Sequence, residues 1–156
     1  MKFIYVTLAL LATLPDSARA VEEIPADLRL ERCEEGLCLS VHFMNRRESN
    51  VCIKNTLFPY DGELKEMPLD LYEANGRRVE TKLIEPSLVS HSSLAKLVRL
   101  VPPGATASTT IRLGDYFDLL DSISYTVTYT ARAYFCSAFQ SQNDYFVLKG
   151  VRRFSR

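Results

Sequence analysis

The sequence predicts an all-β domain, an antiparallel β-sandwich of about eight short strands. Three observations indicate this fold class. Apolar and polar residues alternate with the two-residue period of a half-buried strand in several segments. Clusters of Gly, Pro, Asn and Ser separate these segments. No long stretch after the first twenty residues carries the period of an amphipathic helix.

The first strand pair is predicted in residues 27–45, DLRLERCEEGLCLSVHFMN. Leu28 and Leu30 alternate with charged residues, and the alternation resumes in LCLSVHF. The Glu-Glu-Gly between them is predicted to be the turn that joins the two strands. Another short strand begins with VCIK at residue 51. It has to end before Pro59, because proline has no N–H for a ladder hydrogen bond.

The later strands are predicted from turn residues and from alternation. The Asn-Gly pair at residue 75 supplies two positive-φ positions, which predicts a hairpin over residues 69–84. Strands are expected on both sides of a Pro-Pro-Gly turn, over residues 97–101 and 106–113. The clearest alternation runs through residues 123–136, with Tyr, Val and Ala on one face and Thr on the other. With a last strand in DYFVLKGVRRF, this order is typical of an immunoglobulin-like sandwich.

The first twenty residues, MKFIYVTLALLATLPDSARA, are predicted to be a secretory signal peptide. Lys2 precedes an uncharged apolar run that ends at Leu14, and Ala20 marks the expected cleavage site. The run is shorter than the about 20 residues that a membrane-spanning helix needs. We therefore expect a signal peptide, residues 1–20, and a single β-sandwich domain, residues 21–156. That domain is expected to be periplasmic or secreted, with no integral membrane segment.

All four cysteines follow the expected signal peptide: Cys33, Cys38, Cys52 and Cys136. An even number of cysteines in an oxidising compartment indicates two disulfides. Cys33 and Cys38 are predicted on the same face of adjoining strands, which favours their pairing and leaves Cys52 for Cys136. The other two connectivities stay open. Zinc is the less favoured alternative, because no Cys-x-x-Cys or His-x-His spacing is present. No metal or cofactor is expected.

The balance of charges bears on the class of partner. The chain has 19 Lys and Arg residues and 19 Asp and Glu residues, so its formal net charge is zero. Such a balance gives no field to hold a nucleic acid backbone, and we expect no nucleic acid partner. Asp115, Asp118 and Asp121 recur at a spacing of three. The aromatic and leucine residues between them favour a helical turn capped by aspartate over a calcium loop.

No catalytic motif is recognisable in the sequence, and the chain is not expected to be an enzyme. His91 lies among serines, but a Gly-x-Ser-x-Gly elbow is lacking. His42 is predicted on the polar face of a strand, where cross-strand contacts are the commoner role. The alternative is an unrecognised hydrolase in which His42 or His91 acts with a carboxylate such as Glu31 or Asp118.

Recognition is expected in loops at the ends of the sandwich, since loops on a rigid scaffold usually carry binding residues. The candidate partner-binding residues are Arg, aromatic and His side chains expected in such loops: Arg46, Arg47, Phe58, Tyr60 and His91. For Phe58 and Tyr60 the alternative is that they cap the end of the sandwich. The basic run KGVRRFSR near the end of the chain is a further candidate, for contact with an acidic partner.

Several motifs, in their order along the chain, carry a resemblance to a known family. VHFMNRRESNVCIKNTLFPYDG is followed by the Pro-Gly turn of LVPPGATAS, by DYFDL and by SYTVTY. This order, over roughly residues 38–135, resembles the N-terminal β-sandwich prodomain of deuterolysin-type and peptidyl-lysine zinc endopeptidases. Neither His42 nor His91 begins the His-Glu-x-x-His motif of the family's protease domain. The resemblance therefore implies a prodomain-like sandwich without its enzyme. A fainter likeness is to small bacterial immunoglobulin-like proteinase inhibitors.

These observations predict an exported, non-catalytic protein-binding module that engages its partner by a sheet edge or by end loops. Inhibition of a secreted or periplasmic hydrolase, or immunity against one, is the sharpest form of that expectation. The alternative without a specific inhibitory role is a structural accessory protein of the cell envelope.

Overall fold

The computed structural model describes residues 21–34, 36–59, 62–82, 98–138 and 145–156. These residues form the two sheets of an all-β sandwich, which confirms the predicted fold class. Nine strands lie within them: β1 (Glu23–Pro25), β2 (Asp27–Cys33), β3 (Gly36–Met44), β4 (Val51–Lys54), β5 (Leu69–Glu73), β6 (Val98–Val101), β7 (Thr106–Arg112), β8 (Ser124–Phe135) and β9 (Tyr145–Ser155). A helical turn, α1 (Leu113–Tyr116), and a 3-10 turn, Cys136–Ala138, complete the described elements.

The larger sheet is organised around its longest strand, β8. Its strand order is β1-β9-β8-β4-β6, and β5 also pairs with β8. β9 pairs with β8 from Ser124 to Tyr134, while β5 and β4 share the opposite edge of β8. The smaller sheet has the order β2-β3-β7. Every described pairing is antiparallel except that of β1 with β9.

Alternation along the strands places the core between the two sheets. Tyr125, Val127, Tyr129, Ala131 and Ala133 of β8 are all buried, as the sequence predicts. They join one hydrophobic cluster with the alternate residues of β3: Leu39, Val41 and Phe43. The serine and threonine residues of β8 consequently lie on the outer face of the larger sheet.

A tyrosine at the start of β8 supports the immunoglobulin-like character of the sandwich. The Tyr125 hydroxyl accepts a hydrogen bond from the Leu120 backbone N–H, 2.8 Å away. A tyrosine that bonds back to the backbone a few residues upstream is a hallmark of such sandwiches, known as the tyrosine corner. Here it fixes the turn that leads from α1 into β8.

Both favoured disulfides are present. Cys33 bonds to Cys38 across the tight β2–β3 connection, and Cys52 of β4 bonds to Cys136, the first residue of the 3-10 turn that follows β8. The second bridge links β4 to the turn just after its neighbour β8, since Cys52 lies opposite Tyr134 in the β4–β8 ladder.

Two local predictions need correction. The hairpin over residues 69–84 turns at Gly76, but only this glycine of the Asn-Gly pair has a positive φ. Within the described residues its second arm forms isolated bridges, Tyr72–Arg78 and Thr81–Phe117, and no strand. The aspartates near α1 do not cap it; Asp115 pairs with Arg112, Asp118 with Lys82 and Asp121 with Arg156. Basic neighbours therefore take the side chains that the sequence assigned to capping. None of the described helices is long and apolar enough to cross a membrane.

Candidate functional site

The loop after β3 is built around a buried asparagine. The Asn45 side chain donates hydrogen bonds to the carbonyls of Ser49 and Val101, and its oxygen accepts one from the Arg47 N–H. The last contact closes a turn of the type that Asn and Asp form with the backbone two residues on. Asn45 is fully buried. The loop that carries Arg46 and Arg47 is thus rigidly attached to the sandwich.

Arg47 is occupied by the protein itself. Its guanidinium lies over the rings of Phe135 and Phe146, 5.2 and 4.7 Å from their centroids, and pairs with Glu22 beside β1. Lys149 of β9 pairs with the next residue, Glu23, at 2.9 Å. Since consecutive strand residues face opposite sides of a sheet, the two cations hold β1 from its two faces. The contacts of Arg47 thus serve to hold β1 against the sandwich.

The other candidate loop residues are not brought together by the described residues. Arg46 is exposed and has no ion pair among them. The expectation that Phe58 is an exposed anchor is wrong: the ring is fully buried, packs edge-on against Tyr129 and is covered by Arg99. An aromatic ring at the sandwich end removes apolar surface from water by turning inward. Tyr60 and His91 lie outside the described residues.

The residues named for the hydrolase alternative are also apart. His42 lies opposite Asp27 in the β2–β3 ladder, whereas Glu31 lies opposite Cys38, four residues along β3. At about 3.3 Å per residue this is roughly 13 Å, well beyond hydrogen-bond reach. Asp118 is paired with Lys82. Among the described residues, no group of three or more His, Cys, Asp and Glu side chains is placed to hold a metal ion.

The best-defined candidate surface is the outer edge of β9. The Val147 N–H donates to the Glu22 carbonyl, and the Lys149 carbonyl accepts from the Ala26 N–H, both at 2.9 Å. The odd-numbered residues of β9 therefore direct their backbone groups away from β8. The ladder with β1 ends at Lys149, and β9 continues to Ser155.

We call the backbone edge from residue 151 to residue 155 the open edge. Within the part of the chain that the structure describes, no strand pairs with it. Its backbone N–H and C=O groups come from the next odd-numbered residues: Val151, Arg153 and Ser155. Unpaired ladder groups of this kind are a template for another strand.

The side chains along the open edge combine apolar surface with unpaired positive charge. Val151 is 58% exposed. Arg152 and Arg153 are exposed, and neither has an ion pair among the described residues. The basic residues on either side differ, because Lys149 pairs with Glu23 and Arg156 with Asp121. Arg152 and Arg153 are thus the cations of this run that an external anion can reach.

Sequence reasoning recognised the strand and its basic run but not their position at an edge. The alternation of DYFVLKGVRRF indicates a strand, yet nothing local to it tells which neighbours it has. Comparison with known proteins gives no further guide: no protein-family model and no curated protein matches the chain.

Proposed function

We propose that this chain is an exported, non-catalytic module that binds a protein partner by adding one of the partner's strands to the open edge of β9. The observation that carries the proposal is the row of backbone groups from Val151 to Ser155 that no described strand pairs with, beside two arginines that have no ion pair among the described residues. Strand addition takes its affinity from such main-chain hydrogen bonds and its specificity from flanking side chains.

The two disulfides support export, because such bonds persist in oxidising compartments. The periplasm or the extracellular space is accordingly the proposed location, reached by way of the signal-like segment before Val21. The resemblance to a protease prodomain points to a secreted or periplasmic hydrolase as the partner. Holding such an enzyme inactive is the proposed consequence of binding.

Site-specific photo-crosslinking tests the proposed function. A photoreactive phenylalanine analogue is introduced at Val151, and the protein is irradiated in an extract of its native compartment. The control carries the analogue at Leu100, an equally exposed residue of β6 at 52% exposure against 58% for Val151. We expect one adduct of defined mass from position 151 and none of that mass from position 100.

The partner in the adduct is then identified by mass spectrometry. The hydrolase activity of that partner, taken free of the adduct, is assayed with and without the purified chain. A missing adduct at position 151, or the same adduct from both positions, would refute binding at the open edge. An adduct with a protein whose activity is unchanged would remove the inhibitor role and leave the binding role.

A further inference from the structure

The protein already contains an example of an acidic strand bound to β9. Residues 21–24 read Val-Glu-Glu-Ile, and the strand β1 that they enter lies parallel to β9, with Glu23 opposite Val147. The two carboxylates point to opposite faces, where Arg47 takes Glu22 and Lys149 takes Glu23. One cation on each face therefore matches two consecutive acidic residues.

The open edge repeats this arrangement further along the same strand. Arg152 and Arg153 are consecutive, so their side chains point to opposite faces of the larger sheet. The β8 register agrees, because Arg152 lies opposite the buried Val127 and Arg153 opposite Thr126 on the outer face. At β1, Arg47 and Lys149 each have a carboxylate partner. At the open edge, no described carboxylate pairs with Arg152 or Arg153.

The side chains on either side of Arg152 and Arg153 define which residues would flank an acidic pair in an added strand. Val151 precedes the arginines on the outer face and is largely exposed. Phe154 follows them on the inner face, where its ring packs against Tyr125 with 5.4 Å between centroids. An added strand thus meets, in order, an apolar residue, two cations and an apolar residue. This pattern reads the same in both directions, so it suits a parallel or an antiparallel partner strand.

We infer that the open edge selects an extended segment of a partner protein with two consecutive acidic residues between two apolar residues. The inference rests on the proposed function, and it names the chemistry of the segment that the edge takes. A second copy of this chain, joined β9 to β9, is a poorer occupant, because it would place arginines opposite arginines.

Peptide titration tests the inference. The probe is a fluorescent synthetic peptide with Val-Glu-Glu-Ile between short Thr-Ser flanks, and the matched peptides carry Gln-Gln or Lys-Lys at the centre. We expect the Glu-Glu peptide to bind about tenfold more tightly than the Gln-Gln peptide, and the Lys-Lys peptide not to bind. Added salt should reduce the preference, since the charges are exposed.

Two variants and a map of the bound site complete the test. Arg152→Glu/Arg153→Glu should weaken binding of the Glu-Glu peptide about tenfold or more. Arg46→Glu, which reverses another exposed arginine with no ion pair among the described residues, should not. Amide exchange should slow at Val151 and Arg153 on binding.

Equal affinity for the Glu-Glu and Gln-Gln peptides would overturn the inference. Faster exchange at the Ala26 amide, which donates to the Lys149 carbonyl, would overturn it too, because it means that the peptide displaces β1. Slow exchange at Val151 that depends on protein concentration without peptide would identify a second copy as the occupant. If every peptide fails while the crosslink at Val151 still forms, the edge binds a partner but does not select acidic pairs. If that crosslink is absent too, the proposed function itself is wrong.

Discussion

Buried polar side chains hold the loops of this sandwich in place. Asn45 joins three backbone groups, from residues 47, 49 and 101. Thr109 donates to the Pro59 carbonyl at 2.7 Å, and the Tyr116 hydroxyl accepts from the Leu64 N–H at 2.7 Å. Apart from Val101, which lies in β6, the backbone groups that these side chains bond belong to residues outside the strands. Unpaired backbone groups are costly when buried, so these contacts matter more than exposed ion pairs.

Replacing Asn45 with Ala tests this view. The change leaves up to three backbone partners without a hydrogen bond, at about 1 kcal/mol or more for each that stays buried. We expect the free energy of unfolding to fall by about 3 kcal/mol in urea titrations. Asn50→Ala removes an exposed side chain of the same loop and should change it by less than about 0.5 kcal/mol. Similar values for the two variants would contradict the role of Asn45.

A second residue-scale prediction concerns pH. The Glu73 carboxylate is buried at the turn after β5, accepting hydrogen bonds from Arg77 and Asn75. The hydrogen bond from Arg77 is the main cause that lowers the pKa of Glu73 below its ordinary value of 4.5, and burial opposes it. The stability that ionised Glu73 contributes is therefore complete above that value and is lost as pH falls through the lower folded pKa.

We expect the melting temperature to decrease as the pH falls below 4.5, and to decrease less in Glu73→Gln, which has no carboxylate to protonate. At neutral pH the variant should already be the less stable protein. Glu48→Gln, which changes an exposed carboxylate outside this turn, serves as the control. Parallel pH profiles for the wild type and Glu73→Gln would refute the assignment.

At the scale of elements, β1 and β2 are separated at Ala26, where the chain passes from the larger sheet to the smaller one. This crossing passes against Gly150. A Cβ there would lie 2.6 Å from the Ala26 carbonyl oxygen and 2.7 Å from the Leu28 Cγ. Real Cβ atoms do not approach so closely, so only glycine lets the two sheets meet here.

Gly150→Ala should therefore lower the free energy of unfolding by about 1–3 kcal/mol, as overpacking does. Gly114→Ala is the matched control, because the residue sits in helical α1 and its added Cβ meets, among the described residues, no atom within 4 Å beyond its chain neighbours and its own helix. It should be neutral or stabilising by up to about 1 kcal/mol. Chemical denaturation of both variants gives the comparison, and an equal response at the two glycines would contradict it.

The two disulfides differ in the length of chain that they close. Cys52–Cys136 spans 84 residues in sequence and Cys33–Cys38 spans 5. In the chain-entropy account the long bridge contributes about 4–5 kcal/mol and the short one about 2. We expect Cys52→Ala/Cys136→Ala to lower the melting temperature much more than Cys33→Ala/Cys38→Ala. A larger loss from the short bridge would show that native packing, and not loop closure, sets the effect.

At the scale of the whole molecule, the sequence predicts what is local and misses what depends on strand order. The inward residues of β8 and the Cys33–Cys38 bridge follow from a two-residue period, which needs only neighbours in sequence. The parallel strand β1 escapes prediction because three residues with a proline show no alternation. Phe58 was misplaced for a similar reason, since the ring it packs against, Tyr129, is remote in sequence. The open edge likewise depends on which strand lies outermost.

The open edge also bears on the state of the whole molecule in solution. An exposed strand edge invites pairing with another copy, and charged residues on it are a common protection. An antiparallel pair of β9 strands centred on Arg153 would place the two Arg153 side chains directly opposite each other on the outer face, with Cβ atoms about 5 Å apart, and would bring the two Arg152 side chains near each other on the inner face. We therefore expect the protein to sediment as a monomer at micromolar concentrations. Arg152→Thr/Arg153→Thr, which leaves a neutral, strand-forming Val-Thr-Thr-Phe run, should associate increasingly as its concentration rises.

The control for that comparison is Arg46→Thr, which removes one exposed arginine away from β9 and should stay monomeric. Sedimentation velocity of the three proteins separates the outcomes. A wild type that dimerises with slowed amide exchange at Val151, or a double variant that stays monomeric, would show that the arginines do not protect this edge. If they do, the same two charges both exclude a second copy and attract an acidic strand.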